Sequence, residues 1–180
     1  MKGMVFTELM DMVEATFGSE VLENMIDGAQ LPHGGAYTAV GSYPHGEIVK
    51  LVQALSECTG IAVPDLVKAF GSYMFGRFHE MYGRFFSDVH HAFDFLASVE
   101  TYVHQEVRKL YPDAELPTFE TYQPDPGCLV MVYRSKRGFG DLAEGLVIGA
   151  IQHFDEKITL TREDFEDAQG KATRFTLQQH

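Results

Sequence analysis

Tryptophan is absent from this chain of 180 residues, cysteine occurs only at Cys58 and Cys128, and basic side chains are heavily outnumbered. Each shortage excludes something. Two cysteines are too few for a disulfide framework. The 14 Lys and Arg stand against 26 Asp and Glu, a formal net charge of -12. Such a surface repels phosphate backbones and anionic lipid, so no nucleic acid and no membrane is expected as a partner. The same charge disfavours self-association, so a monomer is expected. No apolar run approaches the ~20 residues that cross a bilayer. The acids Glu8, Asp11 and Glu14 make the first residues unlike a secretory signal, so a cytoplasmic location is expected. The H-E-x-x-H, C-x-x-C, P-loop and G-x-S-x-G patterns are missing as well.

What is present is an ordinary globular composition, 45% hydrophobic and 22% charged, with 14 Phe and 8 Tyr. The length suits one large domain. Apolar spacing predicts helices over 3–17, 19–27, 45–58 and 63–78, with a glycine-rich connection over 28–45. Residues 82–93 read as irregular and 94–111 as one helix that stops before Pro112. Pro112, Pro117, Pro124 and Pro126 mark the next stretch as a connector. A strand over 129–133 continues to Arg137, a helix covers 139–155, and two strands cover 157–162 and 173–178. The acidic run 163–167 reads as a solvated helix start or turn. Helices first, then a small antiparallel sheet with one helix inserted, is an α+β pattern. The division falls into a helical part, 1–62, and an α+β part, 63–180, of a single domain.

Two sets of residues can carry chemistry. On an extended strand Tyr133, Ser135 and Arg137 share one face, about 6–7 Å apart. A phenol, a hydroxyl and a guanidinium all donate hydrogen bonds, and arginine grips carboxylate in a two-pronged contact. The row suits a ligand with two carboxylates, or it is a solvated strand end. His104 lies on or beside the apolar stripe of its helix. It is either an axial metal ligand through a neutral imidazole nitrogen or a core-edge histidine satisfied by a carbonyl. His90 and His91 are adjacent and diverge by about 100° on a helix, so they share a metal poorly.

The order of these parts, MKG at the start, His104 on a long helix, Pro117, then Tyr133-x-Ser135-x-Arg137, resembles the H-NOX family, the heme nitric oxide/oxygen binding domains. The resemblance covers essentially the whole chain. It implies a fold that encloses heme b, His104 as the proximal iron ligand, and Tyr133, Ser135 and Arg137 on the heme propionates. It further implies Pro117 pressing on the porphyrin, Val5 and Leu9 packed over it from the N-terminal helix, and Met74, Phe78 and Leu142 as distal wall. Members that hold oxygen donate a hydrogen bond from a distal tyrosine. This chain has Leu142 there and no tyrosine in 134–180. The implied function is a sensor, not an enzyme. It binds nitric oxide (and carbon monoxide) at ferrous heme, releases the proximal histidine, and regulates a histidine kinase or a cyclic-di-GMP enzyme. Two other readings remain at this stage. One is an acidic adaptor without cofactor. The other is a non-heme metal enzyme built on His90, His91 and Asp88 or Asp94.

Overall fold

The computed structural model describes the backbone of residues 1–180 and every side chain except that of Phe85. Two compact units divide within one helix: Met1–Phe70 and Gly71–His180. The first unit holds α1 (Gly3–Phe17), α2 (Ser19–Ala29), α3 (His45–Thr59) and the start of α4 (Val63–Met81). Gly60, in the left-handed region at φ 74°, ends α3 with its N–H on the Ser56 carbonyl. Residues of the stripes predicted from spacing form much of the core here: Leu9, Met12, Val13, Met25, Ile48, Leu51 and Leu55 are buried, together with Phe6, which the spacing does not single out. The loop before α3 is tied to the first turn of α1. Gly3 N–H donates to the Gly41 carbonyl at 2.8 Å, and Tyr37 stacks on Phe6 at 4.4 Å.

The second unit is the sheet and its helices. After α5 (Ala92–Ser98) comes a π-helical turn, Val99–Val103, and then α6 (His104–Leu110). The single helix expected over 94–111 is thus three segments, and it begins earlier, at Ala92. The wider turn falls where β-branched Val99, Thr101 and Val103 alternate, residues that hold a regular helix less well. The sheet has strand order β1-β2-β4-β3, every pair antiparallel. Its strands are β1 (Thr118–Asp125), β2 (Cys128–Arg134), β3 (Ile158–Asp167) and β4 (Gly170–Gln179), with α7 (Gly140–His153) between β2 and β3.

Three expectations are corrected. The proline-rich connector contains strand β1. It tolerates Pro124 because β1 is an edge strand and its register slips between Tyr122 and Asp125. The acidic run 163–167 is neither turn nor helix start but part of β3. Arginines offset its charge: Arg174 on Glu163, Arg162 on Asp164 and Arg134 on Asp167. Strand β2 stops at Arg134, so Ser135 and Arg137 lie in the turn that leads through Gly138 to α7.

The C-terminal half of α4 packs on α7 through glycines. A methyl added at Gly71 would lie 2.5 Å from the Leu142 carbonyl oxygen and 2.8 Å from the Gly145 Cα. These are backbone atoms of a packed helix and cannot give way cheaply. Gly71→Ala is therefore expected to destabilise by about 3 kcal/mol, lowering Tm by roughly 6–12 °C in a chain of this size. Gly76 on the same helix faces open space, and Gly76→Ala is expected to raise Tm through better helix propensity. Thermal unfolding of the two variants side by side checks the assignment of this helix contact.

Candidate functional site

His104 is the first residue of α6 and is 8% exposed. Its Nδ1 stands 3.0 Å from Glu100 Oε2, one turn earlier, in the π segment. The partner is thus a carboxylate and not the backbone carbonyl weighed above. A carboxylate only accepts, so Nδ1 carries the proton and Nε2 holds the lone pair. This is the arrangement of a metal-ligating histidine, whose second nitrogen donates to a carboxylate that fixes the tautomer. Burial pulls the His104 pKa below the ordinary imidazole value, against the opposing pull of Glu100. Burial raises the Glu100 carboxyl. Its three donors, His104, the Phe119 N–H and Arg108, more than offset this and hold it below the usual carboxylate range. Glu100 escaped the sequence reading, although an acid four residues before a helical histidine is a readable signal.

Tyr133, Ser135 and Arg137 converge, but not as a straight row. Tyr133 is buried on β2, and its phenol interacts with the Ser135 side chain and the Phe139 backbone. Burial raises the phenol's pKa in spite of those interactions and of nearby Arg137. Ser135 Oγ accepts from the Arg137 N–H at 3.1 Å, so the turn is braced by the hydroxyl. The guanidinium of Arg137 reaches Glu115 Oε2 at 2.6 Å, and that carboxylate's side chain is 74% exposed. An acidic group of a ligand can take the place of so loosely held a partner. Arg162 anchors the far side of this turn. It donates to Asp141 and Glu144 of α7 from β3, which fixes where α7 begins.

The remaining expected positions are spread over both units. Val5 is half-buried and Leu9 fully buried on α1, in the first unit. Met74 is buried and Phe78 half-buried on α4, and Leu142 is half-buried on α7, the two helices joined at Gly71. Pro117 is half-buried immediately before β1. His91 is committed to Glu156 at 2.8 Å, and the same carboxylate accepts the Ala92 N–H at the start of α5. Among the described residues no three His, Cys, Asp or Glu side chains gather as a metal set.

A histidine with its outer nitrogen fixed by carboxylate, and a phenol, a hydroxyl and a guanidinium on the same α+β frame, would fit an iron porphyrin with two acidic arms. The chain belongs to the Haem-NO-binding family, whose model matches residues 2–162. Its structure is similar to that of the Fe(II) unliganded H-NOX protein from K. algicida. That match has 33% identity and a TM-score of 0.91 over 100% of this chain and 97% of the other. It is similar to the S. oneidensis H-NOX protein in the Fe(II)NO state at 26% identity and TM-score 0.90, covering 100% and 99%. The IWP-051-bound H-NOX from Shewanella woodyi in the Fe(II)CO state matches at 36% identity and TM-score 0.85, covering 100% and 95%. No curated protein matches the chain. Proteins of this family are heme-based gas sensors and not enzymes.

Proposed function

We propose that this chain senses nitric oxide at ferrous heme b and passes the signal to a separate signalling protein, a histidine kinase or a cyclic-di-GMP enzyme. The observation that carries the proposal is His104, buried, with Nδ1 on Glu100 and Nε2 left as the ligating atom. In this reading Tyr133, Ser135 and Arg137 hold the propionates, Pro117 presses on the ring, and Val5, Leu9, Met74, Phe78 and Leu142 line it. The division of labour is a helical N-terminal part, 1–62, and a heme-holding part, 63–180, in a monomeric domain of the cytoplasm. Among the described residues no helix is long and apolar enough to cross a membrane.

Ferrous heme, when bound, would supply an iron centre able to take a diatomic gas. His104 would hold that iron through Nε2, and loss of this bond would free the imidazole and α6 to take up a second state. A partner that prefers one of the two states then reads the gas. Relatives with NO and with CO in the ligated state support both gases as ligands. Selectivity against oxygen rests on Leu142, because bound oxygen draws charge and needs a donor that a leucine lacks. The test is the absorption spectrum of purified, heme-loaded protein before and after nitric oxide. A histidine-ligated ferrous Soret band that shifts on gas addition is the expected result, and a protein that refuses heme contradicts the reading.

Leu142→Tyr tests selectivity separately. A phenol at this half-buried position is expected to raise oxygen affinity by roughly two- to tenfold, the worth of one net hydrogen bond. Nitric oxide binding should stay the same. Competitive gas titration of the two proteins measures the ratio.

A further inference from the structure

We propose that Glu100 is a positioning residue that couples His104 to strand β1, strengthening the ligation by Nε2 and transmitting its loss to Phe119. The inference rests on the heme reading above and goes beyond it, since Glu100 belongs to none of the residues assigned there.

One carboxylate collects three donors from three places in the chain. Its Oε2 accepts from His104 Nδ1 at 3.0 Å and from the Phe119 N–H at 3.1 Å. Its Oε1 accepts from Arg108 Nη2 at 3.2 Å, on α6 one turn beyond His104. The imidazole and the strand amide therefore share a single oxygen atom, and the ring cannot move far without disturbing the amide's acceptor. Arg108 holds the other oxygen, so the carboxylate cannot simply rotate away. A second link runs in parallel. The His104 ring lies 5.8 Å from the Phe119 ring, and that ring lies 5.5 Å from Tyr133, which is also Phe119's cross-strand partner. The chain His104, Phe119, Tyr133 thus joins the proposed iron ligand to the proposed propionate residues. Pro117 stands two residues before Phe119 on the same backbone.

Chemically, an anionic acceptor on Nδ1–H pushes electron density toward Nε2 and makes it a better donor. Glu100 sits in a π-helical turn, a local departure from regular helix that recurs at functional sites. Releasing Nε2 removes the constraint on the ring, and because Arg108 lies on α6 with His104, the carboxylate held by both moves with them away from the strand amide. Glu100 in this way sets how easily His104 is released and tells β1 that it has been.

The experiment uses heme-loaded wild type, Glu100→Gln and Glu100→Ala. Gln keeps an acceptor oxygen without the charge, and Ala removes both. Resonance Raman of the ferrous proteins reads the iron–histidine stretch directly. The frequency is expected to fall from wild type to Gln to Ala. Release of His104 by nitric oxide should become at least tenfold faster in Ala, the usual cost of losing such an outer partner. Exchange of the Phe119 amide, followed by NMR, should speed up roughly fivefold when nitric oxide is added to wild type, as for loss of one hydrogen bond. In Glu100→Ala it should be fast with or without the gas. An unchanged stretch in Glu100→Gln and Glu100→Ala at full heme loading overturns the proposal while leaving the heme reading intact. A wild type that takes up no heme overturns both. Should Glu100→Ala not fold, the stretch of Glu100→Gln decides alone, because a purely structural staple would not require the charge.

Discussion

Heme-loaded His104→Gly is expected to lose the histidine-ligated ferrous spectrum entirely and to regain it when imidazole is added. The residue is buried, and its Nδ1 is held by Glu100, which leaves Nε2 as its ligating atom. The cut leaves room for free imidazole, which ligates iron but is not tethered to α6. Fold cost is modest: glycine for an ordinary residue in a helix costs about 1 kcal/mol, or roughly 2–4 °C in Tm here. Glu100 keeps Arg108 as a donor, and β1 keeps its register through its ladder with β2. If detachment of His104 is the signal, the imidazole-loaded variant is expected to act on its partner as nitric-oxide-bound wild type does, with no gas present. The reason is thermodynamic. A ligand shifts a two-state equilibrium only by its preference for one state, and a chain already detached has no preference left to exploit. The measurement is partner activity with wild type and His104→Gly, each with and without nitric oxide. A variant that behaves like unliganded wild type would shift attention to Pro117 and Val5 as the moving parts.

The α+β class, the order of elements and the position of His104 were legible because they rest on strong periodic signals: apolar stripes in the helices and a run of buried residues, Cys128–Tyr133, in β2. What stayed hidden depends on partners far away in sequence. Strand β1 was masked by prolines, and only its place at the sheet edge explains why Pro124 is tolerated. The acids of β3 looked like turn residues because their arginine partners, Arg134 and Arg174, come from other strands. Glu100 was overlooked for a similar reason. The four-residue step to His104 is local, but its bond to Phe119 crosses 19 residues and a strand that had not been recognised. Tyr133, Ser135 and Arg137, expected in a straight row on one strand, instead span the end of β2 and the turn through Gly138. Within that turn the Ser135 hydroxyl accepts the Arg137 N–H at 3.1 Å, so the turn draws those two residues together.

That convergence decides how the three residues divide the work, and it predicts unequal losses. The Tyr133 phenol already interacts with Ser135 and the Phe139 backbone, and Ser135 Oγ already receives the Arg137 N–H. Both are largely occupied in bracing the turn. Arg137 alone carries a full charge and spare donors, since its observed bond to Glu115 engages one nitrogen of a five-donor group. Arg137→Ala is therefore expected to cost most, because a hydrogen bond between charged groups is worth about 1.5–3 kcal/mol. Heme loss should accelerate roughly ten- to a hundredfold. Arg137→Lys keeps the charge but not the flat fork, so its loss should lie between wild type and Ala. Ser135→Ala acts through the turn and should change the rate least. Glu115→Gln makes the opposite prediction. The carboxylate lies on the surface and competes for the same guanidinium, so removing its charge should leave heme retention unchanged or improve it. The rate of heme transfer to an excess of scavenger protein, measured across the four variants, reads this ranking. Equal rates in wild type, Arg137→Ala and a Tyr133/Ser135/Arg137 triple variant would reduce the set to a structural turn.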